Sequence, residues 1–420
     1  MASQPKVFDP DTADLAKVDL TDLDLFADGP PHALFARMRD EAPVRWNPSA
    51  HGTEFWSLAR SEDITNVSKD PATFSSARGG IFLRPGTLPH LDFLRNFVIF
   101  KDPPEHTKYR DIVATAFLPR TLILIDELIR EIVTGTLDEV VQRGECDLVR
   151  DVAAPIPVKV ITRLLGAPDE DLAQLLAWTE TLEHGITNSA DVAETLEQMS
   201  AHFLQLVDNQ VVRGVDSLAK GISEAEVDGE RLSDEEIAAY FCVLLFVGSN
   251  PTRSAISSGM LALMEHPEQL ELLRNEPNRL RCTRSGLAPT ALDEILRWST
   301  PLNCLARTAT KDTAIQGVEI KADSRIILWY ASASRDPMVV PDADTFDVTR
   351  ESSGHTHHAY GGGGPHFCQG ANLANRVLSI ALQEIIRRLP NIERAGPTSR
   401  VRSTFINSLA TLPVTFKPAH

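Results

Sequence analysis

Four short stretches of this sequence hold residues whose types and spacing could do chemistry. The densest runs from Ala359 to Ala374 and reads Ala-Tyr-Gly-Gly-Gly-Gly-Pro-His-Phe-Cys-Gln-Gly-Ala-Asn-Leu-Ala. Gly361 to Gly364 permit tight turns closed to other residues, and Pro365 stiffens the loop by fixing one φ angle. Cys368 then stands where the loop enters a segment whose Leu373, Val377, Ile380, Leu382, Ile385, Ile386 and Leu389 recur at helical spacing. A helix N-terminus stabilises a thiolate, and a thiolate is a metal ligand. In a second stretch His106 and Arg110, four residues apart, share a helix face and could grip one anion. In a third, Glu294 and Arg297 fall on adjacent helix turns and could pair. The fourth, Gly248-Ser249-Asn250-Pro251-Thr252, places polar groups and a proline inside the most apolar helical run of the chain.

Each of these has a plainer reading. A glycine turn with an inert buried cysteine, a surface His/Arg pair and a weak exposed Glu/Arg pair would carry no chemistry. A zinc site built from His355, His357, His358, His366 and Cys368 is a further possibility, but it lacks a second Cys-x-x-Cys or His-x-x-x-His pair.

The elements that must position these residues are mostly helical. At 420 residues with 43% hydrophobic and 24% charged residues, the composition is that of an ordinary globular chain with ample material for a core. A net charge of −17 argues against nucleic acid or an anionic membrane surface as a partner. Five scattered cysteines suit a reducing compartment, and neither a signal peptide nor a run of transmembrane length is visible, so a cytoplasmic location is expected. Pro31 to Asp40 reads as a short helix. Val44 to Trp46 and Glu54 to Ala59 read as strands, and Ser61 to Lys69 as a helix with Ser61 as its N-cap. The loop from Phe74 to Phe100 has no sustained period and an excess of apolar groups, which suits a lid over a pocket. Thr121 to about Met264 is nearly all helical pattern, with breaks at 154–157, 166–168 and Gly185. Leu172 to Leu182 and Ala193 to Val212 form a helix pair. Ile237 to Met264 is apolar all round, as expected of a helix through the middle of a large domain, and is interrupted at Gly248 to Arg253. Pro251 removes the amide partner of the Val247 carbonyl. Strands follow from Pro301 to Thr308 and from Ile326 to Ala331, and Leu409 to Phe416 reads as a closing strand pair.

With the motifs in this order, Gly362-x-Gly364-x-His366-x-Cys368-x-Gly370 resembles the haem-binding loop of the cytochrome P450 haem-thiolate monooxygenases, and the resemblance extends from about Pro31 to the C-terminus. It implies a mainly α fold with a smaller β-rich part: a triangular prism with haem between a long distal helix and the proximal cysteine loop and helix. Residues 31–420 would be a single haem domain without a fused reductase, after an N-terminal extension over residues 1–30. The resemblance makes Cys368 the ligand of haem b iron, with His106, Arg110, Arg307 and His366 on the propionates and Gly370 in the loop. Glu294 and Arg297 match the Glu-x-x-Arg motif, joined by Arg350. Gly248 to Thr252 match the distal stretch that relays protons, but Asn250 stands where an acid is usual and Pro251 where the first threonine is usual. Asn250 cannot titrate. Tyr360 lies one step earlier than the usual aromatic, and Gln369 replaces an aliphatic residue, which would put a polar group beside the thiolate.

By this resemblance the reaction is insertion of one oxygen atom from O2 into a small hydrophobic substrate. Electrons would come from NAD(P)H through a separate ferredoxin and its reductase, docking near Arg376, Arg387 or Arg388. A monomer is expected. Ile81, Phe82, Leu94, Phe97, Val247 and Ile406 are the expected substrate pocket, and Arg78, Arg84 and Arg95 could instead meet a carboxylate. A peroxide-driven peroxygenase, an atypical reaction (dealkylation, desaturation or coupling) and a non-catalytic haem sensor stay open as alternatives.

Overall fold

The computed structural model describes residues 9–10, 12–48, 54–83, 91–185, 192–213, 217–283, 290–351 and 357–418. Arg84, Leu88 and His355 lie outside the described residues. The architecture is mainly α with a smaller β-rich part. At its centre runs a helix of 32 residues, Asp234–Glu265, opened by a capping box in which Ser233 and Glu236 satisfy each other's backbone amides. Helices Pro155–Leu165, Leu172–Gly185, Val192–Arg213, Thr290–Ser299 and Ala371–Arg388 pack around it and bury it on most sides. The polar stretch at Pro251 does not interrupt this helix, contrary to the sequence expectation. Thr252 Oγ1 donates to Gly248 O at 3.1 Å and the Ser249 hydroxyl donates to Leu245 O, so side chains occupy carbonyls around the missing amide.

The β part is a five-stranded sheet in the order Val44–Asn47, Phe55–Leu58, Arg325–Trp329, Cys304–Ala309, Phe74–Ser75, antiparallel except where Arg325–Trp329 meets Phe55–Leu58. Strand Arg325–Trp329 is buried along its whole length. Its Trp329 packs between Phe26 and Phe35, with ring centroids 5.8 and 5.3 Å away. Leu15, Val18, Leu20 and Phe26 belong to this core cluster, so the N-terminal segment, where described, is part of the packed body.

Three local expectations change. Helix Ser61–Lys69 is not capped by Ser61, which is its first helical residue. The distant Asp336 carboxylate accepts the Ser61 amide at 2.9 Å instead. A strand at Glu145–Asp147 and a π-helical turn at Leu148–Ala153 sit within the stretch expected to be helical. Leu409–Thr411 and Pro413–Thr415 do not pair with each other: the first pairs with Ser399–Arg400, the second with Glu393–Arg394 and Glu145–Asp147. Strand identity was local; the partner was not. No helix among the described residues is long and apolar enough to cross a membrane.

Candidate active site

The glycine loop is moulded onto helix Ser61–Lys69. Gly364 has φ +71°, and a Cβ there would lie 2.3 Å from Ser68 O, so only glycine fits. The loop closes with Phe367 N donating to Gly364 O and Cys368 N donating to Tyr360 O, both at 3.1 Å. Helix Ala371–Arg388 begins three residues after Cys368, and the backbone amides of Gly370 and Ala371 point at the sulfur. Burial pushes the Cys368 thiol up, while those amides and the Arg110 guanidinium favour the thiolate.

Helix Glu105–Ile112 brings His106 and Arg110 to this loop. Arg110 Nη2 donates to Phe367 O at 2.6 Å, and Gln369 Nε2 donates to Arg110 O at 2.8 Å. Gln369 therefore ties the loop to the helix and is not free to act on the sulfur. The His106 and His366 rings lie 4.2 Å apart. Burial, with Arg110 next, lowers His106 to about 4; burial, with Arg307 next, lowers His366 to about 2. Both rings are neutral near pH 7. Tyr360 donates to Asn375 Oδ1 at 2.5 Å, so the earlier aromatic still anchors the loop to its helix.

Arg307, on strand Cys304–Ala309, is 3% exposed, and its side chain donates to the neighbouring Ala306 O at 2.8 Å. The sequence reading missed Arg325 on the adjacent strand. It is buried, donates to Thr308 Oγ1 at 3.1 Å and to Phe82 O, and is lowered to about 9 by burial and by Arg307. An arginine at the head of an otherwise apolar, fully buried strand was the available signal.

Glu294 and Arg297 are 1% and 0% exposed in their side chains and form a two-pronged pair at 2.7 and 2.8 Å. Arg350 Nε reaches Glu294 Oε2 at 3.1 Å, and the Arg297 and Arg350 guanidiniums also hold backbone carbonyls of 334–345. A buried charge set of this kind is tolerable because every member has partners.

Between Ile237 and Leu263 of the long helix, Leu244, Val247, Gly248 and Pro251 are the residues not buried, and they form one stripe with i, i+3, i+4, i+7 spacing. Ser249 and Asn250, expected beside Gly248 and Pro251, are 1% and 2% exposed and face elsewhere. Asn250 Nδ2 points to Thr179 O, 3.4 Å away on helix Leu172–Gly185. Thr252 is spent on Gly248 O. Of the expected pocket residues, Ile81, Leu94 and Phe97 join the main core, and Phe82 sits 5.0 Å from Phe405 and 5.7 Å from Phe100. Ile406 is bridged to Leu302. Val247 is 36% exposed on the stripe. Arg78 pairs with Asp323 on the surface.

The zinc reading fails among the described residues, where no group of three His, Cys, Asp or Glu side chains could hold a metal. His358 is engaged with Ser61 Oγ at 2.8 Å and His357 with Asp293 at 3.5 Å. Of the arginines expected near a docking partner, Arg376 is 3% exposed and bound to Asp126 at 2.8 Å, Arg388 pairs with Asp138, and Arg387, with a side chain 67% exposed, pairs with Glu384.

The Cytochrome P450 family model matches residues 158–392, more than half of the chain. The methyl-branched lipid omega-hydroxylase of Mycobacterium tuberculosis (strain CDC 1551 / Oshkosh) is 34% identical over 97% of this chain and 96% of its own length. The chain belongs to the cytochrome P450 family. The steroid C26-monooxygenase of Rhodococcus jostii (strain RHA1) is 32% identical over 96% of this P450 and 85% of its own length. Among solved structures, the Mycobacterium marinum cytochrome P450 CYP268A2 in complex with pseudoionone superposes with a TM-score of 0.84 at 29% identity, covering 92% of this chain and 94% of that one. The protein is thus a P450 monooxygenase, and the family implies haem.

The residues present fit that group. His106 Nδ1, His366 Nε2 and Arg325 Nε are buried atoms without a hydrogen-bond partner, gathered with Arg307 near the cysteine loop. Asp102 is the carboxylate acting on both His106 and Arg307; the haem propionates would give Arg307, Arg325 and the two rings a further anion, and the Cys368 sulfur would ligate the iron.

Proposed function

We propose that this P450 hydroxylates a small hydrophobic substrate with one oxygen atom of O2, using electrons passed from NAD(P)H by a separate ferredoxin and its reductase. Residues 31–420 are read as one haem domain. The observation that carries the reading is Cys368, its sulfur met by two helix-initiating amides, in a loop where the His106 and His366 rings each keep a buried nitrogen without a partner. Cys368 would bind the iron; His106, Arg110, Arg307 and His366 would hold the propionates, with Arg325 beside them. Bound there, haem supplies the activation of O2. The stripe Leu244, Val247, Gly248, Pro251 would contribute a partly open wall to the substrate space. Phe82, Phe97 and Ile406 add apolar surface suited to an uncharged substrate body, and the lipid and steroid hydroxylase relatives favour a hydrophobic one. Because Asn250 is turned to Thr179 and Pro251 has no donor, proton movement along the helix is assigned to water near Gly248 O and Thr252 Oγ1.

The test is the CO-difference spectrum of the reduced protein beside Cys368→Ala. A strongly red-shifted Soret band that is lost in the variant supports the reading; a histidine-like band overturns it. Product formation that needs ferredoxin and reductase, rather than peroxide alone, separates it from a peroxygenase.

A further inference from the structure

A second polar chamber lies away from the cysteine loop. A cavity of about 140 Å³ forms where the segment before helix His32–Glu41, the last turns of the long helix, the end of helix Thr290–Ser299 and strand Ser399–Arg400 meet. Its wall carries Arg335, Arg400, His32, Ser258 and Asn407, and the exposed carboxylates of Asp28 and Glu265 also border it. None of these residues takes part in the site described above.

Three buried polar atoms of this wall have no hydrogen-bond partner: His32 Nδ1, Ser258 Oγ and Arg335 Nε. Ser258 and Arg335 are each only 7% exposed, so burying these atoms unpaired is costly unless something polar occupies the space. Arg335 lies over the Trp298 ring, 3.5 Å from its centroid, and reaches the exposed Asp344 only at 3.4 Å. The Arg400 guanidinium rests on Gly29, where a Cβ would come within 3.3 Å of its Cζ, and donates to Asn407 Oδ1 at 3.1 Å. His32 opens a helix of 10 residues that has no side-chain cap, so amide hydrogens add to the positive field. Of the other guanidiniums near His32, Arg297 is neutralised by Glu294, and Arg39 is held by Ser332 O and Oγ. Glu265 is drawn outward to Arg394 at 3.5 Å. That leaves Arg335 and Arg400 as the cations that face the cavity, with Asp344 the carboxylate bonded to Arg335 and the exposed Glu265 and Asp28 the opposite charges nearest Arg400.

We propose that this cavity binds a small oxyanion, a carboxylate or a phosphate, gripped by Arg400 and Arg335 with Ser258 Oγ as a neutral donor. Charge-assisted pairing to a guanidinium fork suits a planar or tetrahedral oxyanion better than a halide. Asn407 binds Arg400 and also donates to Ser299 O at 2.5 Å, so occupancy stiffens the segment that continues from Ile406.

The experiment titrates the purified holoenzyme with inorganic phosphate and, separately, with acetate, read by calorimetry and by thermal unfolding. The expected result is saturable, millimolar or tighter binding of at least one of the two, and the anion that saturates identifies the source. Arg400→Ala should weaken it by about ten-fold or more, Arg400→Lys by less, and Ser258→Ala should weaken it several-fold. An unchanged haem absorbance shows that each variant is folded. The proposal is overturned if neither anion saturates the parent protein, or if Arg400→Ala and Ser258→Ala both bind as the parent does.

Discussion

Glu183 and Arg253 form an ion pair sealed between helix Leu172–Gly185 and the long helix, with Glu183 1% and Arg253 8% exposed. The next turn back makes a second link between the same helices, Asn250 to Thr179 O. Arg253 Nη2 also donates to Leu409 O at 3.2 Å, so one side chain joins two helices and the C-terminal strand Leu409–Thr411. Helix Leu172–Gly185 is therefore pinned by the same turns of the long helix that hold Pro251. Glu183 Oε1 and Arg253 Nε have no hydrogen-bond partner of their own.

Arg253→Met should be strongly destabilising, by about 3–5 kcal/mol, because it leaves the Glu183 carboxylate buried and alone. Adding Glu183→Leu should recover most of that loss, since an apolar pair of similar volume removes the uncompensated charge. Urea unfolding of the two single variants and the double variant tests this. Equal midpoints for Arg253→Met and the parent would show that the pair contributes nothing.

Gly364→Ala should destabilise the cysteine loop by about 1–3 kcal/mol from backbone strain, with a further cost from the clash against Ser68 O. Gly396→Ala, where a Cβ meets nothing within 4 Å, serves as the control. The readouts are thermal midpoint and retained haem absorbance. A Gly364→Ala protein as stable and as fully loaded as the control would contradict the moulded fit.

His32 gives a pH dependence with a defined sign. Burial and the surrounding guanidiniums hold it at about 3 in the folded protein, while an unfolded histidine titrates near its ordinary value of 6.5. Between those values the unfolded chain carries the extra proton, so stability falls as pH drops from about 6.5 towards 3; above 6.5 this group adds nothing. His32→Gln should lose that component, and its stability relative to the parent should improve between pH 7 and pH 5. Denaturant midpoints at the two pH values decide it; a constant difference counts against the assignment.

Asn250→Glu combined with Pro251→Thr restores an acid and a hydroxyl at the positions where the family usually carries them, and returns an amide to the Val247 carbonyl. With reductase and ferredoxin supplied, hydrogen peroxide released per product should fall. An unchanged ratio would mean that protons already arrive by another path.

The sequence alone carried the parts of this protein that depend on short-range chemistry. Gly361 to Gly364, Pro365 and Cys368 before an amphipathic helix need only local backbone rules to be read as a ligand loop, and the spacing of Glu294 and Arg297 puts both on one side of a helix turn. Tertiary structure decided what those groups touch. Burial turned Glu294, Arg297 and Arg350 from ordinary surface charges into one enclosed network, and it removed Arg376 from the candidate docking charges by closing it on Asp126. Helical phase, visible only once the neighbours were in place, turned Asn250 towards Thr179 and left Gly248 and Pro251 on the partly open stripe. Arg325 and the Glu183–Arg253 pair, 70 residues apart in sequence, could not be read in advance, because strand partners and helix crossings are set by the summed burial of distant segments and not by any local pattern.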